Sequence, residues 1–135
     1  MHPFAEEFFY VTSGNRMKVA FIDNTSEKLI ATELREGQAT VVPRDSVHYQ
    51  QNLDCKPAVT LSLFNGANPL ALLPFRNSFS NIPNDVIEAS LGGGKMINNK
   101  LINHIKSQIA NVTSLVNVEC LKRCGLDKPT RPKKR

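Results

Sequence analysis

The chain has 135 residues, and with 41% hydrophobic and 21% charged side chains it is too apolar for a disordered segment and sized for one globular domain. Its formal charge of +5 comes from the C-terminus: Lys128 to Arg135 holds five of the 17 Lys and Arg and no acid, so the first 127 residues balance at 12 of each sign. This distribution argues against a folded domain with a basic nucleic-acid face. No apolar run approaches the ~20 residues of a membrane span, and no internal repeat marks a solenoid. The Pro-interrupted basic tail reads as a solvated terminus, with a nuclear-localisation or polyanion-binding patch as the sharper alternative.

In chain order, the first two thirds read as short strands separated by turn residues. Glu7 to Val11 is followed by the turn cluster Thr12 to Asn15. Arg16 to Ile22 alternates, with Met17, Val19 and Phe21 on one face, and Asp23 to Ser26 turns the chain again. Lys28 to Leu34, Gln38 to Val42, Val47 to Asn52 and Ala58 to Phe64 complete the set. Pro43 ends the fourth strand because it has no N–H for a ladder. Such spacing predicts a β-sandwich or barrel. After Asn65 to Pro69 the pattern changes. Asn84 reads as the N-cap of a short helix through Leu91, stopped by Gly92, Gly93 and Gly94. Ile97, Leu101, Ile105 and Ile109, with Ile102 and Val112 beside them, predict an amphipathic helix of about four turns. Linker-like residues begin near Gly125.

The three cysteines, Cys55, Cys120 and Cys124, leave one thiol free or paired elsewhere. Cys120 and Cys124 lack the further ligands of a zinc site, so a local disulfide or two unrelated buried thiols is the expectation. Two sequons, at Asn24 and Asn111, offer N-glycosylation sites. The opening residues MHPFAEEFF do not form a signal peptide.

Chemistry points to His2, Glu7 and His48. Two imidazoles and a carboxylate are a donor set for a first-row divalent metal. His2 and Glu7 are five residues apart at the entry to the first strand, and His48 lies in a second segment, after the Gly37 to Pro43 stretch. His104 and Asn52 read blandly, the first as an interfacial or solvated side chain and the second as a turn or strand-edge residue. No Ser-His-Asp order, phosphate loop or heptad pattern is present.

The spacing around these residues forms two boxes. His2-Pro-Phe-Ala-Glu-Glu7 with Gly14 matches the second half of the pattern G-x5-H-x-H-x3,4-E-x6-G. Gly37, Pro43, Asp45, His48 and Asn52 keep every spacing of G-x5-P-x-G-x2-H-x3-N, with Asp45 in place of the glycine. Asp tolerates a left-handed turn better than most residues. The flanks Ser62 to Pro69, Ser80 to Pro83 and Val86 to Leu91 agree as well. Over residues 2 to 115 the chain resembles the germin and germin-like branch of the cupin superfamily.

That resemblance implies a mainly β fold, the cupin double-stranded β-helix or jelly-roll barrel, followed by C-terminal α-helices. It divides the chain into a partial barrel over 1–83, helices over 84–118, and a Cys-containing segment with the basic tail over 119–135. It implies His2, Glu7 and His48 as ligands of Mn(2+), walled by Phe8, Phe9, Val41, Val47 and Phe64. The first histidine of the family's first box would fall just before Met1. The resemblance therefore implies a chain lacking the family's N-terminal strands and its signal peptide. It further implies secretion to the extracellular space, assembly into trimers or hexamers of one chain, and oxalate oxidase or superoxide dismutase chemistry in the full-length form. No nucleic-acid or membrane partner is expected. The alternatives are a non-enzymatic extracellular cupin glycoprotein, an inactive truncated product, and a cytosolic small-molecule cupin.

Overall fold

The computed structural model describes residues 1–91, 97–109 and 117–127. Six strands come first: β1 (Glu7–Ser13), β2 (Met17–Ile22), β3 (Leu29–Leu34), β4 (Ala39–Val42), β5 (His48–Asn52) and β6 (Val59–Phe64). They form two antiparallel three-stranded sheets, ordered β4-β1-β6 and β3-β2-β5. Each strand lies within two residues of its sequence expectation, because turn residues bound it on both sides. Gly14 and Gly37 take positive φ values of 129° and 81°, which a side chain would resist. A Cβ on Gly14 would also come within 2.8 Å of the Ala58 Cβ.

Alternation places one face of each sheet inward. Phe9, Val11 and Val42 from the first sheet meet Met17, Val19 and Leu34 from the second in one buried cluster, with Phe21 and Ala58 packed against it. Removing each large member from water contributes on the order of 1.5–3 kcal/mol. Two expected wall residues belong to the other face: Phe8 and Val41 are exposed. They pair side by side across β1 and β4, and the period of two that buries Phe9 and Val42 turns both outward.

A compact unit takes in the strands, from Met1 to Ala71, together with residues 117–127; a second unit lies within residues 72–115. The second unit holds α1 (Pro74–Asn81), α2 (Asn84–Ser90) and α3 (Asn99–Gln108). Helix α1 was not anticipated, since it is short and its apolar face consists of Phe75 and Phe79 alone; Pro74 in its first turn is a further local signal. Asn84 is the first residue of α2 rather than its cap. Pro83 stands in the cap position, and the Asn84 side chain donates to Asn103 Oδ1 at 2.8 Å. Helix α3 is shorter than expected, about three turns, and starts at the cap Asn98, whose side chain accepts from the Leu101 N–H. Its fully buried residue is Ile102, at 0% exposure, while Leu101 is exposed. The three glycines after Leu91, Val112, Asn111 and the basic tail lie outside the described residues.

Helix α4 (Val118–Arg123) belongs to the first unit. The expected pairing of the cysteines changes here. Cys124 is bonded to Cys55, 69 residues away, and Cys120 is the free thiol. Arg123 Nη2 donates to the Leu53 carbonyl at 2.8 Å, which fastens the helix beside the β5–β6 loop that carries Cys55. Asn52 shapes the same loop as expected, donating to the Lys56 carbonyl at 2.7 Å and accepting from the Asp54 N–H at 2.9 Å. Among the described residues no helix is long and apolar enough to cross a membrane.

Candidate metal centre

Three segments converge between the sheets. Glu7 opens β1 and shares its inward face with Phe9 and Val11, so its carboxylate is carried into the interior. His48 opens β5 in the opposite sheet. His2 lies in the turn before β1, and its carbonyl accepts from the Asp45 N–H at 2.9 Å. Asp45 has a φ of 61°, the left-handed turn that its place in the second box requires. One turn therefore holds the N-terminal segment in place and, three residues later, delivers His48.

The three side chains face each other. Glu7 Oε2 is 3.3 Å from His48 Nε2 and 3.8 Å from His2 Nε2. One candidate donor atom from each of the three lies within 4.8 Å of the others. Donors bound to one first-row ion at roughly 2.1 Å sit about 3 Å apart when adjacent and about 4 Å apart when opposite. The rings of His2 and His48 stack at 5.2 Å between centroids, and Phe64 meets His2 edge-on at 4.7 Å. Side-chain exposure is 5% for Glu7, 7% for His48 and 17% for His2.

The outer nitrogens of the two imidazoles decide which inner atoms are available. His48 Nδ1 lies 2.8 Å from the carbonyl of buried Ser46, and His2 Nδ1 lies 2.5 Å from the Leu70 carbonyl. A carbonyl only accepts, so each Nδ1 carries the hydrogen. Burial pushes the His48 pKa below the ordinary imidazole value; the Ser46 hydrogen bond opposes this without cancelling it. A neutral ring protonated at Nδ1 presents the Nε2 lone pair, which is the form that binds a metal.

Glu7 is held as well. Ser62 Oγ donates to Glu7 Oε1 at 2.6 Å, and Gln50 Nε2 donates to Oε2 at 3.4 Å. A buried carboxylate needs such partners, or a cation, to offset the loss of water. The residues present thus fit a divalent ion: two imidazole nitrogens and one carboxylate oxygen, each oriented by a second hydrogen bond. All three site residues expected from the sequence come together. Ser62, Gln50 and the carbonyls of Ser46 and Leu70 were missed. Their roles depend on strand register and chain reversal, which no local spacing encodes.

Two facing antiparallel sheets around an inward His–Glu–His group are the architecture of a cupin, and the chain belongs to that family, whose pattern, described as Cupin, matches residues 1–96. Its relatives include Spherulin-1B of Physarum polycephalum, 29% identical over 125 residues that cover 93% of this chain and 48% of that protein. Germin-like protein subfamily 2 member 4 of Arabidopsis thaliana is 36% identical over 114 residues, covering 81% of this chain and 49% of that protein. The chain therefore spans about half the length of the curated relatives it matches. Among solved structures it is similar to a recombinant oxalate oxidase in complex with glycolate. That match has a TM-score of 0.70 and 26% identity, and covers 80% of this chain and 54% of that one.

Proposed function

We propose that this chain carries the metal-binding part of a secreted germin-like cupin, with Mn(2+) held by His2, Glu7 and His48, and that the complete protein is an oxidoreductase acting on oxalate or superoxide. The observation that carries the reading is the convergence of two imidazole Nε2 atoms on the buried Glu7 carboxylate, with both Nδ1 atoms tied to carbonyls. Bound there, the ion would supply one-electron chemistry between Mn(II) and Mn(III) and open positions for a small anion or dioxygen. The protein's residues do the rest. The Glu7 charge offsets one positive charge of the ion and favours its higher oxidation state. His2 and His48 fix its position, and Phe64 keeps water from one side of His2. Resemblance to an oxalate oxidase that binds glycolate supports a small carboxylate as substrate.

The Cys55–Cys124 disulfide supports an oxidising, extracellular location. Asn24 of the first sequon is exposed, and its amide donates to the Asp45 carbonyl at 3.2 Å, a bond that N-glycosylation would compete with. Self-association as a trimer or hexamer is supported by the apolar side chains the isolated chain leaves exposed on β1, β4, β6 and α3.

The test titrates metal-free chain with Mn(II) by calorimetry, alongside His48→Ala, with light scattering on the same samples. One site per chain is expected, weakened about 100-fold or more in the variant, in an assembly larger than a monomer. Equal binding by both proteins contradicts the metal assignment, and a monomer contradicts the assembly. A second reading, a non-catalytic extracellular cupin, would use the same three donors to hold an ion without turning a substrate over. Absence of oxalate and superoxide turnover by the manganese-loaded complete protein would select it.

A further inference from the structure

The two oxygens of Glu7 are treated differently by their surroundings. Oε1 accepts a 2.6 Å hydrogen bond from Ser62 Oγ. Oε2 faces the imidazoles at 3.3 and 3.8 Å and receives only a long 3.4 Å contact from Gln50. An O–H···O⁻ bond of that length is short and charge-assisted, among the stronger side-chain hydrogen bonds. Strand register puts the hydroxyl in reach. Glu7 pairs with Phe64 and Phe9 with Ser62, so Ser62 lies on the inward face of β6, diagonally across from Glu7.

We propose that Ser62 is a positioning residue that occupies Glu7 Oε1 and so restricts Glu7 to single-oxygen ligation through Oε2. The proposal rests on the metal reading above and deepens it. A carboxylate can bind an ion through one oxygen or two, and the second mode uses an additional coordination position. Holding Oε1 with a hydroxyl fixes the rotation of the carboxylate. It leaves that position for solvent or a small anionic ligand. Ser62 is exposed at the edge of its sheet, so its substitution perturbs packing little.

The experiment loads the full chain with Mn(II) and compares wild type with Ser62→Ala and Ser62→Thr. Affinity is read by titration, and denticity by the electron paramagnetic resonance of the bound ion together with X-ray absorption. Ser62→Ala is expected to bind about tenfold more weakly or worse and to show a changed resonance with one more close oxygen. Ser62→Thr, which keeps the hydroxyl, is expected to restore both. The pair Ser62→Val and Ser62→Thr repeats the comparison at nearly equal shape and strand propensity, so a folding defect in the alanine variant does not obscure the answer. Wild-type spectra in Ser62→Ala or Ser62→Val, with wild type binding Mn(II), overturn the role of Ser62 alone. Failure of wild type to bind Mn(II) overturns the metal reading and this proposal with it.

Discussion

Asp45 shows how one residue serves both the fold and the site. Its left-handed backbone costs a non-glycine residue roughly 1–2 kcal/mol, and its N–H holds the carbonyl of His2. Replacing it with Gly removes the conformational penalty and keeps that N–H. Replacing it with Val adds a β-branched side chain to the same φ. Denaturant melts are expected to find Asp45→Gly equal to wild type or up to about 1 kcal/mol more stable. Asp45→Val should lose about 1–2 kcal/mol; a variant as stable as wild type would show that the turn is not held in this conformation. The spacing of the second box makes Asp45 and His48 legible together. In the sequence Ser62 stands only in a matching flank, because its partner lies 55 residues away and meets it only when β1 and β6 are in register.

Among the elements, the strands were the more legible because a period of two and clustered turn residues mark both their span and their inner face. Phe8 and Val41 failed as wall residues through that same period: each neighbours a buried residue and so faces the other way. Helices α1 and α4 escaped notice because each is short and neither has a buried residue to give it a stripe. The position of α4 depends on a covalent tie. The Cys55–Cys124 bond closes 69 residues, so in the chain-entropy treatment it stabilises the first unit by about 4 kcal/mol. Peptide mapping without reductant is expected to recover Cys55 linked to Cys124 and Cys120 alkylated. A Cys120–Cys124 link would contradict the arrangement of the helix. Reductant should lower the unfolding midpoint of a Cys120→Ser variant and leave a Cys55→Ser/Cys124→Ser/Cys120→Ser variant unchanged.

At the scale of the whole chain, Phe8, Val41, Leu61 and Leu63 share the outward face of the β4-β1-β6 sheet and are all exposed. An apolar face of that extent is unusual on an isolated monomer and fits the proposed self-association. The fold class was legible because two motif boxes and six alternating strands pointed to one architecture, and the site was legible because its three donors belong to those boxes. What stayed hidden was everything set by distance in sequence: the disulfide, the carbonyls that orient the histidines, and the hydroxyl on Glu7. The central claim is that His2, Glu7 and His48 hold one metal ion between the two sheets. Anomalous diffraction from crystals of the chain grown with Mn(II) tests it most directly. The account predicts one strong manganese peak per chain, bonded to His2 Nε2, Glu7 Oε2 and His48 Nε2; a site empty of density, or a peak elsewhere on the chain, would contradict it.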